Sequence, residues 1–360
     1  MGVKQMKILH TADIHLREHE DERWQALEQI IQTGKKEKID LCIISGDLFN
    51  QGVNAEKLRP KIRALFSGNG FRTLIIPGNH DNDSFRGGLH FGDDTSILHD
   101  PTHIFENDDV RVAGLAFQPL EGQRLIDRLA GYKKVFAEDK TNILVCHGEL
   151  LDSFFSRRDL GDEGNERYMP FWLWYFNDLN LDYVLAGHFH SRFDVRRLEN
   201  KGYFVYPGSP VSITRKETGQ RKVNLFETGG EPQEYPVDTP HYESVDVTIE
   251  PFSGIDPVTL IQDKISRLHP HARILLKVTG YFDGSSLDMD EIQLHEKIRI
   301  FAGSQLEDLV FEISDIRVIL SSSLFQDFKA KVDAEDLDLR TKQVLLHHTI
   351  QAMIETETCA

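Results

Sequence analysis

Short apolar runs recur through the first 230 residues, and each gives way at once to polar, chemically able side chains. Met6-Lys-Ile-Leu-His10 leads into Asp13 and His15, and Leu41-Cys-Ile-Ile44 leads into Asp47. Thr73-Leu-Ile-Ile76 precedes Asn79 and His80, and Asn142-Ile-Leu-Val-Cys146 precedes His147. Tyr183-Val-Leu-Ala186 runs into His188 and His190. Runs of this length bounded by Gly, Pro or Ser predict buried strands. Between them, Trp24, Leu27, Ile30 and Ile31 mark one helical face, and Leu58, Ile62 and Leu65 another. Strands alternating with helices predict an α/β domain. Ligand sites in open α/β sheets gather beyond the carboxyl ends of the strands. Here five runs deliver His, Asp or Asn to that edge.

The texture changes at residues 228–242, where turn formers replace any periodicity, so a linker is expected there. Val245, Val247 and Ile249 then alternate along a strand. Asp256-Pro257 can cap and start a helix ending near Leu268. A strand is expected over Arg273–Val278, a helix over Glu291–Phe301, a strand over Leu309–Leu320 and a last helix from about Asp333 to Glu355. The expected organisation is an α/β domain over 1–230, a small C-terminal α+β domain over 231–330 and a helical tail over 331–360.

Composition narrows the class. The chain is 40% hydrophobic and 28% charged, which suits a globular fold rather than a disordered one. Its net charge of −17 gives no global attraction to nucleic acid, so any grip on phosphates must come from local patches or bound cations. Cys42, Cys146 and Cys359 have no metal-type spacing and form no disulfide framework; a reducing, cytoplasmic setting fits them. No signal peptide, myristoylation signal or membrane span is expected.

The polar residues at the strand ends define a chemistry. Asp13, His15, Asp47, Asn79, His147, His188 and His190 offer two carboxylates, one amide and four imidazoles. Asp13 with His15, and His188 with His190, are spaced to point the same way along extended chain. Mixed nitrogen and oxygen ligation without thiolate favours manganese, iron or zinc in a working site over a structural zinc site. Two ions roughly 3.5–4 Å apart can clamp a phosphate and supply a hydroxide near neutral pH. The leaving oxygen then needs a proton, and His80, directly after Asn79, is placed to give it. Asp81 is expected either to orient His80 or to stabilise the turn.

The set Asp13-x-His15, Gly46-Asp47, Gly78-Asn79-His80-Asp81, His147-Gly148 and Gly187-His188-x-His190 resembles the calcineurin-like metallophosphoesterase superfamily. The resemblance spans residues 6 to about 215. It implies a four-layer α/β fold, two β-sheets sandwiched by helices, here with a small C-terminal α+β capping domain. It further implies one metal on Asp13, His15, Asp47 and His190, and a second on Asp47, Asn79, His147 and His188, bridged by Asp47. Within the superfamily, His10-Thr-Ala-Asp-Ile-His-Leu16, Ser45-Gly-Asp-Leu-Phe49 and Tyr206-Pro-Gly-Ser-Pro210 resemble the SbcD-type DNA repair nucleases. That likeness implies manganese (iron or zinc as alternatives), DNA as substrate, a coiled-coil ABC-type ATPase partner and a homodimer. Many such nucleases carry His after Gly-Asp-Leu-Phe, where it contacts phosphate; here that residue is Asn50.

Blander readings stand beside these. Any single histidine of the 16 is by default a surface or core residue, and His10, in the first strand, reads as structural. Arg192, Arg196, Arg197, Lys201, Arg215, Lys216, Arg221 and Lys222 reverse the local charge after His190. They read equally as a grip on a DNA backbone, with Arg192, Arg215 and Lys216 foremost, or as a solvated hairpin face. Arg157-Arg158 is a weaker candidate of the same kind. Tyr168 to Phe176 can stack bases, but packing on the core is the better expectation. Two rival functions remain: hydrolysis of a small phosphoester or cyclic nucleotide, and a non-catalytic DNA-end binding subunit.

Overall fold

A computed structural model of the chain describes residues 5–85, 88, 90–152 and 168–358. Arg157, Arg158 and Cys359 lie outside the described residues. The chain divides into two compact units, Met1–Tyr242 and Glu243–Ala360.

The first unit contains two six-stranded mixed sheets. In chain order its strands are β1 (Lys7–Thr11), β2 (Leu41–Ser45), β3 (Arg72–Ile76), β4 (Thr95–Ile97), β5 (Ile104–Glu106), β6 (Val110–Leu115), β7 (Thr141–His147), β8 (Tyr183–Gly187), β9 (Asp194–Arg197), β10 (Tyr203–Tyr206), β11 (Lys222–Glu227) and β12 (Glu234–Pro236). The first sheet has the order β12-β11-β1-β2-β3-β4 and the second β5-β6-β7-β8-β10-β9. In each sheet four neighbouring strands are parallel, β1 to β4 in one and β6, β7, β8 and β10 in the other. Their carboxyl ends therefore share one edge.

Alternation along each strand sorts the side chains into three apolar layers. Leu41 and Ile43 of β2 meet Ile143 and Val145 of β7 between the sheets. Cys42 and Ile44 face the opposite way, onto helices α1 (Glu22–Glu37) and α2 (Ala55–Phe66), which supply Trp24, Leu27, Ile30, Leu58 and Ile62. Asp21 caps α1 by accepting from Trp24 N at 2.8 Å. On the far side, Leu144 and Cys146 pack with Leu125 and Leu129 of α3 (Gly122–Ala130) and with Phe171 and Phe176. The result is helix, sheet, sheet, helix, the four-layer α/β architecture expected. Each fully buried large apolar side chain contributes about 1.5–3 kcal/mol, so the sheet–sheet layer fixes one edge firmly against the other.

The segment expected as a linker is part of this unit. Residues 222–224 of β11 pair with 234–236 of β12, so the chain turns back at 228–233 instead of leaving. Among the described residues, no helix is long and apolar enough to cross a membrane.

The second unit is α+β. Strands β13 (His241–Ile249), β14 (Ala272–Phe282) and β15 (Leu306–Asp315) form a three-stranded sheet. It packs on α4 (Pro257–Ile265) and α6 (Glu291–Ala302) through Val247, Leu276, Ile261 and Leu294; the short α5 (Gly284–Leu287) lies between β14 and α6. The strand expected over Leu309–Leu320 ends at Asp315, and α7 (Arg317–Ser321) follows. Ile316, Ile319 and Leu320 have helical spacing and join another small core, which a single apolar run does not distinguish from a strand. The tail is two helices, α8 (Ser323–Ala334) and α9 (Leu339–Thr358), joined through Phe325, Val332, Leu346 and Ile350.

Candidate metal centre

The turns that follow the parallel strands are bonded to one another. Asp13 N donates to Gly46 O at 3.1 Å, His15 N to Asp47 O at 2.9 Å and Asn50 N to Leu16 O at 2.9 Å. The backbone here is not extended, contrary to expectation. Asp13, His15, Asp47 and His188 have φ of 55°, 52°, 53° and 99°. Non-glycine residues adopt such values at a cost of about 1 kcal/mol or more each. The expected sidedness still holds: Ile14 and Phe189, between the polar pairs, are buried in the apolar layers. Two glycines let the edges close. A Cβ on Gly46 would stand 2.1 Å from His147 Nδ1, and one on Gly187 would stand 2.0 Å from Ser45 O.

Asp13, His15, Asp47, His147, His188 and His190 are all buried, and Asn79 is half-buried beside them. His15 Nε2 and His190 Nε2 approach to 3.2 Å, and His190 Nε2 lies 3.7 Å from Asp13 Oδ1. Asp47 Oδ2 is 3.7 Å from His15 Nε2 and 3.3 Å from His147 Nε2. Asn79 Oδ1 lies 2.8 Å from His147 Nε2 and 3.3 Å from His188 Nδ1. All seven residues expected as ligands are thus brought together.

What converges is almost entirely lone pairs. His147 Nδ1 is 2.8 Å from Ser45 O, which makes that nitrogen a donor and turns Nε2 toward Asp47 and Asn79. Asp47 Oδ2, fully buried, accepts no hydrogen bond. A buried acceptor without a donor is costly. The electrostatics carry the same message. Burial disfavours the His147 cation, yet Asp47 and then Asp13 outweigh it and raise the ring to about 10. Burial pushes the Asp13 carboxyl up to about 6 despite His190 and His147. Burial also works against the Asp47 anion, but His147, His15 and His80 hold its carboxyl below the usual range. Such an arrangement draws positive charge in, here as a proton on His147, and its donor set of imidazole, carboxylate and amide fits divalent cations.

His80 is half-buried, its ring 4.8 Å from that of His15, and its backbone N–H donates to Asp47 Oδ1 at 2.9 Å. It lines a cavity of about 220 Å³ together with His15, Arg17, Asn50, His190, Ile213 and Thr214. Asp81 takes the second of its two expected parts. Its oxygens accept from Gly78 N at 2.7 Å and Phe49 N at 3.1 Å, so it clamps the turns after β2 and β3 together. Burial, with Asp47 nearby, raises its carboxyl to about 7. His10 is buried against Ser45 Oγ at 2.8 Å and is structural.

Of the residues expected to touch substrate, Asn50 lines the cavity. Arg215 and Lys216 are exposed and directly follow the lining residue Thr214; Arg192 is exposed two positions beyond His190. The basic stretch is smaller than its sequence promises. Arg221 is 3% exposed and donates to the carbonyls of His190, Ser191 and Ser209. Arg196 pairs with Asp194, Arg197 with Glu231 and Lys222 with Glu234. Of the aromatic run, Phe171 and Phe176 are core, whereas Trp172 and Trp174 are exposed. Two residues at the site, Arg17 and Glu217, escaped sequence reasoning, and a third, Tyr168, was read only as part of an aromatic run. Arg17 lines the cavity and is signalled by its place two residues after His15. The Tyr168 ring lies 5.1 Å from that of His188. Glu217 is buried 3.4 Å from His190 Nδ1. Burial works against the Glu217 anion, but His190 and Arg221 outweigh it and bring its carboxyl down to about 2.

The family model for calcineurin-like phosphoesterases matches residues 6–192, more than half of the chain, and the chain belongs to that family. It is 23% identical over 249 residues to the uncharacterised metallophosphoesterase YhaO of Bacillus subtilis, covering 60% of this chain and 56% of the relative. It is 25% identical over 257 residues to a subunit of the nuclease SbcCD of Staphylococcus epidermidis, covering 60% and 64%. It is 22% identical over 259 residues to the DNA double-strand break repair protein Mre11 of Methanopyrus kandleri, covering 61% and 53%. The chain therefore spans less than two thirds of each of these relatives.

Proposed function

We propose that the chain is a dinuclear-metal-dependent nuclease that hydrolyses DNA phosphodiester bonds. The observation that carries the reading is the convergence of seven lone-pair side chains, with an unsatisfied Asp47 oxygen at their centre, beside a cavity that contains His80. Asp13, His15, Asp47 and His190 would hold one cation; Asp47, Asn79, His147 and His188 would hold the other. Manganese is the first choice, with iron or zinc as alternatives. The pair would supply Lewis-acid charge and an activated water. His80 then gives the leaving oxygen its proton, and Asp81 acts one step back by fixing the turn that carries His80. Arg17, Arg215 and Lys216 offer charge to the flanking backbone phosphates, with Arg192 further along the same face and Asn50 on the cavity wall.

Two relatives named as a nuclease subunit and a break-repair protein support DNA as the substrate. The name of the first also supports an assembly, for which a coiled-coil ABC-type ATPase and a second copy of this chain are the expected partners. Cys42 and Cys146, buried as free thiols, support a cytoplasmic setting. The small cavity, Asn50 and the net charge of −17 favour a second reading, hydrolysis of a small phosphodiester.

Turnover of linear and hairpin DNA, cyclic nucleotides and bis-p-nitrophenyl phosphate, each with Mn²⁺, separates the two readings. DNA cleavage at rates above those of the small esters is expected. A metal-loaded protein that hydrolyses only the small esters would overturn the nuclease assignment.

A further inference from the structure

A buried carboxylate outside the expected ligand set stands behind His190. Glu217 is 1% exposed, and its Oε1 lies 3.4 Å from His190 Nδ1. That nitrogen is the one opposite Nε2, which approaches Asp13 and His15. The other groups meeting Glu217 are donors. Ser209 Oγ donates to Oε2 at 3.0 Å, Ile213 N to Oε2 at 2.7 Å and Thr214 Oγ1 to Oε1 at 3.2 Å. Arg221 grips the backbone of the same histidine, donating to His190 O and, at 3.1 Å, to Ser191 O. Ring and peptide of His190 are thus held by a neighbouring carboxylate and guanidinium, both buried.

A carboxylate at Nδ1 makes that nitrogen the proton carrier and leaves the Nε2 lone pair facing forward. We infer that Glu217 is a positioning residue: it selects the Nε2-ligating form of His190 and, through Ile213 and Thr214, ties this ligand to the cavity wall. The inference rests on the two-cation reading above. It explains why a residue eight positions beyond Ser209 should be buried with its charge intact: the loop it closes carries two residues of the cavity lining.

Glutamine tests the idea sharply, because it has one acceptor where glutamate has two. If its oxygen accepts from Ile213 N, its NH₂ faces His190 Nδ1 and favours the form with hydrogen on Nε2. In the full chain stripped with chelator, Mn²⁺ titration calorimetry should resolve two sites in the unaltered protein. Glu217→Gln should weaken one of them by about 10- to 100-fold and leave the other within about twofold. Thr214→Val removes one donor to Oε1 without stranding a buried charge, and should weaken the same site by a few-fold. This second variant keeps the test open if Glu217→Gln does not fold. Unchanged affinities in the folded variants, or equal losses at both sites, would overturn the inference. Fewer than two ions on the unaltered protein would instead defeat the two-cation reading itself.

Discussion

The two sheets of the first unit contribute unequally to the candidate centre. The first sheet brings both carboxylates, the amide, one imidazole and the neighbouring His80, on turns bonded to one another and clamped by Asp81. The second brings imidazoles alone: His147, His188 and His190. Neither sheet has a ligand set that could hold two cations, so the centre exists only where the apolar layer between them holds their edges together. In the proposed centre, anionic and bridging groups would come from one side, and neutral donors that finish each coordination sphere from the other.

Substitutions on the two sides should therefore fail differently. Asp47→Ala, on the first sheet, should lose both ions and drop turnover to background. His147→Ala, on the second, should lose one. Metal analysis after desalting checks this, and retention of one ion by Asp47→Ala would break the comparison. His80→Ala should keep both ions and lose about 10²- to 10⁴-fold in turnover; a fully active variant would remove His80 from the mechanism.

Next in size is the effect of the ions on the fold. Because they would join the sheets, saturating Mn²⁺ should stabilise the protein. About 2.7 kcal/mol per site is expected at a hundredfold excess over Kd, a rise in Tm of roughly 5–10 °C for a unit of this size. Calorimetric unfolding with and without chelator measures it. The pH dependence follows from His147, raised from 6.5 to about 10 without metal. Its proton stabilises the metal-free fold fully below pH 6.5, and this contribution fades as pH rises toward 10. The same proton must leave when a cation binds, so Mn²⁺ affinity should rise with pH up to about 10, with measurable proton release. The smallest effect belongs to the loop beyond the second sheet. Arg215→Ala with Lys216→Ala should lower the salt-dependence slope of DNA binding by roughly two and leave small-ester turnover intact.

Much of this was legible in the sequence for a definite reason. Each expected ligand lies within a few residues of a strand end, so one apolar run and one tight turn place it, and local pattern is enough. The left-handed φ at Asp13, His15, Asp47 and His188 was not legible, because spacing of two reads as extended chain whatever the backbone does. The basic stretch misled for the opposite reason. Charge counted along the chain does not show that Arg221 is buried beneath His190, or that Lys222 meets Glu234 across a hairpin. Glu217 was invisible because its meaning lies wholly in a partner 27 positions away by sequence. The turn back near 230 was not legible because the returning strand, Glu234–Pro236, is only three residues long and ends in proline.

The left-handed turns also bear on the history such a protein can have. Replacing Asp13 or Asp47 by glycine would relax the backbone at once, yet erase a proposed ligand. Selection for stability alone would drift toward that exchange, and only continued use of the centre opposes it. A descendant kept merely as a scaffold on DNA ends should therefore reveal itself by glycines at these positions. This chain retains the costlier residues.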